Sequence, residues 1–202
     1  MVERPHKQRR ERDKQEMREA ILAAARAIAA QDGWQAVTIR KVAERIEYSP
    51  PMLYQYFESK DALLLALLRE GFSMIATRLR AAQREALDAE DALRRVAAAY
   101  RDFAWEHPEL YQVMHGLGGV PFGSAETPSE ARDAFDALRD VARPLMTAAL
   151  DLDLEVELLW GTLHGLVALT MDGRLAGGRP RATLVIERAV RSLILAWRET
   201  KR

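Results

Sequence analysis

The chain has 202 residues, 49% of them hydrophobic, with thirty basic and thirty acidic side chains and a formal net charge of +0 at pH 7. That is enough apolar material for one large or two small cores, and the even charge balance means that any nucleic-acid affinity must come from a local patch. The absence of cysteine excludes a disulfide scaffold, a Cys-ligated zinc finger and a Cys nucleophile. No apolar run approaches the roughly 20 residues needed to span a bilayer. The first residues are charged and lack the apolar centre of a secretory signal, so a cytoplasmic protein is the simplest reading.

In chain order, residues 1–15 form a charged arm, expected to be disordered. Through Arg18 it carries seven basic against four acidic residues, a net +3. Two readings compete for it: a solvated tail of mixed charge, or an arm that reaches a DNA groove or phosphates. Met17, Ile21, Ala24, Ala25 and Ile28 then recur at helical spacing, and Gly33 stops that helix. Thr38 suits the N-cap of a helix burying Ile39, Val42, Ala43 and Ile46. A second short helix follows from Ser49. Ser59 or Asp61 opens a long one through Leu63, Leu67, Phe72, Ile75 and Leu79 to about Leu87.

Further helices are expected near 92–106, 108–115, 129–150, 154–174 and 182–199, with Pro144 kinking the third of these. Residues 116–128 read as the longest loop, and Gly177, Gly178 and Pro180 separate the last two helices. The expected fold is all-α. A three-helix helix-turn-helix head over 16–62 precedes a larger helical domain over 63–202.

The stretch from Thr38 to Lys60 carries the functional argument. Ser49 is placed as N-cap, and Pro50 and Pro51 fill the first turn, where a missing N–H costs least; Met52 N–H is then the first donor left for the Ser49 oxygen. Leu53 and Phe57 are four apart and should face inward. Pro51, Met52, Tyr54, Gln55 and Tyr56 then remain for a partner. Gln55 could pair with an adenine edge, and Met52 or Pro51 could touch a thymine methyl. Thr38, Arg40, Tyr54, Tyr56 and Lys60 suit phosphate contacts. The competing reading is that the tyrosines simply cap a small helical core.

These residues resemble the TetR family of transcriptional regulators. The likeness lies in Thr38-Ile39-Arg40-Lys41-Val42-Ala43, then Ser49 through Phe57, then Ser59-Lys60-Asp61-Ala62-Leu63, and covers roughly 16–68. It implies that the second helix of the pair enters the major groove, with Tyr54, Tyr56 and Lys60 at phosphate-contacting positions. Pro50 and Pro51 depart from the small or basic residues more usual there, removing two amides and any charged reach. Trp160-Gly161-Thr162-Leu163-His164-Gly165-Leu166 is similar to the Trp…His-Gly signature of one C-terminal class, which implies a ligand-sensing, dimerising domain.

The residues themselves agree in part with that implication. The helix from Leu154 to Met171 is apolar nearly all round and should be buried on more than one side. Leu158, Gly165 and Leu169 on it, with Ile186, Val190, Leu193 and Trp197 on the last helix, are expected at a two-fold dimer interface. Such a dimer would set two reading helices about 34 Å apart, one DNA turn, matching a palindromic operator. Phe103, Tyr111, Met114, His115, Phe122, Phe135, Trp160, His164 and Met171 are candidate pocket residues, although each taken singly reads equally well as core.

The four histidines show no His-x-x-x-His spacing, and Gly116, Gly118 and Gly119 follow no strand. No metal, cofactor or catalytic set is therefore expected, and the chain is not read as an enzyme. The resulting expectation is a homodimeric, ligand-responsive regulator without membrane association. It would be a repressor released from operator DNA by a small, largely apolar effector. The alternative is a helical ligand-binding or protein-interaction module with no DNA-binding role.

Overall fold

The computed structural model of the chain describes residues 5–116 and 125–199, and these are helical with no strand among them. Helix α1, Pro5–Asp32, buries one stripe of Ile21, Ala24, Ala25, Ile28 and Ala29. It begins well before the expected start near residue 16. The described part of the charged arm is an exposed continuation of the helix rather than a separate tail. Extending an existing helix needs no new nucleus, and Arg, Lys, Gln and Glu are good helix formers. The Gln15 amide donates to Glu19 Oε1 at 2.8 Å along that outer face. Gly33, at φ 78°, ends the helix.

Helix α2, Ile39–Arg45, is capped as expected, with Thr38 Oγ1 accepting from Lys41 N–H at 3.1 Å. Helix α3, Pro50–Leu53, is shorter than its pattern suggested. After Leu53 the chain tightens into i→i+3 turns, with Gln55 N–H on the Met52 carbonyl and Tyr56 N–H on the Leu53 carbonyl. Ser59 rather than Asp61 caps the next helix, its Oγ accepting from Ala62 N–H at 3.0 Å. That helix, α4, runs Lys60–Arg84.

Helices α5, Ala89–Glu106, and α6, Pro108–Gly116, follow. Asp88 caps α5 through Asp91 N–H at 2.8 Å, while Asp91 takes Leu87 N–H at 3.0 Å; this reciprocal pair starts α5 earlier than its apolar spacing indicated. Helix α7, Ser129–Ala142, stops where the sequence suggested a kink. Arg143–Leu145 becomes a 3₁₀ turn around Pro144, which has no N–H to continue an α-helix. Helix α8, Leu152–Met171, is capped by Asp151, and α9 spans Gly178–Glu199.

The chain divides into two compact units, residues 1–68 with 112–117 and residues 69–111 with 118–202. The division between 68 and 69 falls within α4, as the expected boundary at 62/63 does. In the first unit, α2 packs on α1 and α3, and Ile21, Trp34, Val37, Val42, Leu53, Phe57 and Leu63 form the core. In the second, α5 packs against α7, α8 and α9, and α8 against α7 and α9.

Helix α8 is, among the described residues, the one helix long and apolar enough by length and composition to cross a bilayer. Interruptions by Gly161, Thr162, His164 and Gly165 hid this from a search for plain apolar runs. Its two faces differ in fate. Val156, Leu159, Leu163 and Val167 are buried, while Leu154, Leu158 and Leu169 are exposed.

Candidate nucleic-acid interface

The joint between α2 and α3 is built by a helix C-terminal motif with both of its hydrogen bonds. Tyr48 N–H reaches the Ala43 carbonyl at 2.9 Å and Glu47 N–H reaches the Glu44 carbonyl at 3.3 Å. The motif needs a left-handed residue, and Glu47 takes that place at φ 61°, where glycine is usual. The tight turn redirects the chain so that Leu53 and Phe57 are buried, while Pro51, Tyr54 and Gln55 are exposed and Met52 and Tyr56 half-buried.

Ser49 occupies the N-cap position, but its side chain makes no capping bond. Met52 N–H goes to the Ser49 backbone carbonyl at 3.0 Å instead. With two prolines in the first turn, few amides remain for a side-chain cap to serve. The hydroxyl thus lies exposed at the head of the helix. Arg18 braces the far side, its guanidinium 4.4 Å over the Phe57 ring and donating to the Tyr56 carbonyl at 3.4 Å.

Among the expected phosphate contacts, Thr38 and Arg40 are exposed at the start of α2. Glu44 partners Arg40 at 2.8 Å and, by that hydrogen bond and its charge, raises the guanidinium pKa further. Lys60 is half-buried, and its Nζ donates to the Trp34 carbonyl at 3.3 Å. An ammonium has three donors, so this bond orients Lys60 and leaves two for another acceptor. Tyr48, exposed in the turn, belongs to the same surface although the helix pattern alone did not single it out. Its signal was its place immediately after the turn.

In the C-terminal unit, the expected pocket residues separate. Phe103 and Tyr111 are buried core, Met171 is half-buried at the end of α8, and Met114 and His115 belong to the other unit. Phe122 lies outside the described residues. Tyr111 and His164 do meet. The Tyr111 hydroxyl lies 2.7 Å from His164 Nδ1 and 2.9 Å from the Tyr100 hydroxyl, and the Trp160 ring lies 6.5 Å from the His164 ring, tilted at 44°. Burial pushes the Tyr100 phenol up to about 12, raises Tyr111 further and lowers His164.

Either hydroxyl can donate in the Tyr100–Tyr111 bond, and the donor and acceptor at His164 Nδ1 follow from the imidazole tautomer.

A cavity of about 430 Å³ opens between α7 and α8, lined by Phe135 and Trp160 together with Thr127, Ala131, Arg132, Asp136, Arg139 and Glu157. Only Phe135 and Trp160 were among the expected pocket residues. Of the missed ones, Arg132, Asp136 and Arg139 share one face of α7 with Phe135 at helical spacing.

The expected interface residues also divide. Leu158 and Leu169 are exposed, and Gly165 and Leu193 are half-buried. Ile186, Val190 and Trp197 are buried inside the protomer, where Trp197 Nε1 donates to Glu155 Oε2 at 2.7 Å. These three are corrected from interface to core, because the stripe they form packs on α5 and α8 of the same chain. The exposed apolar side of α9 is carried by Leu184 and Leu195.

Comparison with known proteins matches this division of the chain. Residues 21–67 fit the family described as bacterial regulatory proteins, tetR family, and residues 93–193 fit the tetracyclin repressor-like C-terminal domain. The HTH-type transcriptional activator FasR of Mycolicibacterium smegmatis is 28% identical over 157 residues, covering 78% of this chain and 70% of FasR. The HTH-type transcriptional repressor KstR of Rhodococcus jostii is 43% identical over 63 residues, 31% of this chain and 30% of KstR. A protein of unknown function from Rhodococcus sp. RHA1 shares the fold with a TM-score of 0.77 at 24% identity, over 89% of this chain and 94% of that one. Regulators of this kind bind operator DNA as homodimers and respond to small molecules. The chain belongs to the TetR family of DNA-binding transcriptional regulators.

Proposed function

We propose that this chain is a repressor. It reads a palindromic operator through α2 and α3 and leaves it when a small, largely apolar effector occupies the C-terminal unit. The observation that carries this is the α2–α3 joint. It holds Leu53 and Phe57 inward and leaves Pro51 on α3, and Tyr54 and Gln55 on the turns that follow it, outward for a major groove. Thr38, Arg40, Ser49, Tyr54, Tyr56 and Lys60 hold phosphates. Gln55 and the apolar Pro51 and Met52 read bases. With two amides absent from the helix start, sequence preference rests on those three and on DNA shape.

Dimerisation uses the outer side of α8 and α9, centred on Leu158, Gly165, Leu169, Leu184 and Leu195. The apolar face of α8 is then covered by a second copy rather than by lipid. Operator release follows if the effector binds better to a conformation whose reading heads no longer match one DNA turn. The protein acts in the cytoplasm, where its operator is, and needs no catalytic group.

The decisive experiment is selection of bound sequences from random DNA by the purified full chain, followed by gel shifts at several salt concentrations. A two-fold symmetric site with salt-sensitive affinity is expected. Failure to enrich any sequence, or affinity indifferent to salt, would overturn the reading. A transcription assay from the selected site separates repression from activation.

A further inference from the structure

We propose that the cleft between α7 and α8 binds an apolar carboxylate, with Arg132 on the carboxylate and Phe135 and Trp160 against the hydrocarbon. Occupancy is passed through the Trp160 indole to His164. This rests on the reading that a small effector acts through the C-terminal unit.

The volume, about 430 Å³, falls within the range of small-molecule sites. Its centre is aromatic, with the Phe135 and Trp160 rings 6.4 Å apart and edge-on at 81°. Charge is not evenly available along it. Arg139 is occupied by two carboxylates, Asp153 at 2.9 Å and Asp136 at 3.3 Å, which consume its charge at the end where α7 finishes and α8 begins. Arg132 lies about two helical turns back along α7, on the other side of the aromatic pair.

The described contacts give Arg132 no ion pair. One N–H of its guanidinium donates to the Thr127 carbonyl at 2.6 Å. That bond fixes the plane and leaves the remaining donors and the full positive charge for an anion, the geometry in which guanidinium binds carboxylate through two parallel bonds. The apolar part of such a ligand would lie along Ala131, Phe135 and Trp160.

Trp160 belongs to two structures at once. Its ring lines the cleft and lies 6.5 Å from the His164 ring, whose Nδ1 is 2.7 Å from the Tyr111 hydroxyl, itself 2.9 Å from that of Tyr100. An occupant that turns the indole changes its contact with the His164 ring at the end of that hydrogen-bonded chain.

The test uses the full chain and three probes of equal tail length: decanoate, 1-decanol and decyltrimethylammonium. Calorimetry should show saturable decanoate binding, at least about ten-fold weaker binding of decanol, and at least about ten-fold loss in Arg132→Gln with partial recovery in Arg132→Lys. In NMR spectra of nitrogen-labelled protein, the Trp160 indole resonance, identified by its absence from Trp160→Phe, should move on adding decanoate.

Equal decanoate binding by Arg132→Gln, or an unmoved Trp160 resonance at saturation, would overturn the proposal. Preferred binding of decyltrimethylammonium that Glu157→Gln abolishes would overturn it in favour of an organic cation. Arg132→Gln keeping its affinity for the selected operator while losing decanoate supports the site. If decanoate binds through Arg132 but leaves the operator complex intact, the cleft stands and the effector reading above falls instead.

Discussion

Glu47 holds a left-handed conformation that costs an ordinary side chain about 1–2 kcal/mol relative to its preferred regions. Glu47→Gly should stabilise the protein by about 1 kcal/mol, seen as a thermal midpoint raised by roughly 2–4 °C, and Glu47→Val should lower it. An unchanged or lowered midpoint in the glycine variant would show that the glutamate side chain compensates the strain. Lys60→Ala should weaken DNA binding about equally across sequences, whereas Gln55→Ala should relax base preference at one position of the site. Because Lys60 also bonds the Trp34 carbonyl, its removal should cost about 1 kcal/mol of stability besides. Comparing the variant's melting curve with its gel shift separates the two effects.

His164 gives the residue scale its pH dependence. Burial lowers its pKa below the ordinary 6.5, so the unfolded imidazole takes up a proton before the folded one does. Stability from this group is fully present above about pH 6.5 and declines as pH falls toward the lowered folded value. Denaturant titrations at pH 7.5 and 5.5 should show the loss. It should shrink in His164→Gln, which cannot titrate; an equal loss in that variant would assign the pH dependence elsewhere.

At the scale of elements, α8 and α9 each divide their apolar residues between an inner and an outer face, and substitutions on the two should behave differently. Trp197→Ala empties a fully buried site and breaks the bond to Glu155, and should destabilise by about 3–5 kcal/mol. Leu158→Glu, on the exposed side of α8, should leave the protomer folded but shift sedimentation toward monomer and weaken operator binding. A dimeric Leu158→Glu would move the interface off this face.

At the scale of the whole molecule, the charge balance of +0 means that attraction to DNA comes from a local basic patch, and the helical N-terminal extension is one candidate for it. Removing residues 1–14 should therefore reduce the slope of log affinity against log salt by about one unit for each phosphate that the shortened chain no longer neutralises. An unchanged slope would leave those residues as solvated helix with no role at the operator.

The sequence by itself determined the helical class, the capped α2, the inward Leu53 and Phe57, and the family. Each of these depends on residues a few positions apart, where helical periodicity and cap chemistry are read directly. The boundaries of α1, α3 and α7 were less legible. They turn on how far a started helix propagates, and on Pro144 acting as a stop rather than a kink. Only the tertiary structure decided the rest. Ile186, Val190 and Trp197 are core while Leu184 and Leu195 face outward, because a helix with apolar residues on two sides does not reveal which side its own chain covers. The Tyr100–Tyr111–His164 chain and the Arg132 cleft join residues from separate helices. No spacing along one helix encodes the distance between two of them, so these sites exist only once α5, α6, α7 and α8 have packed.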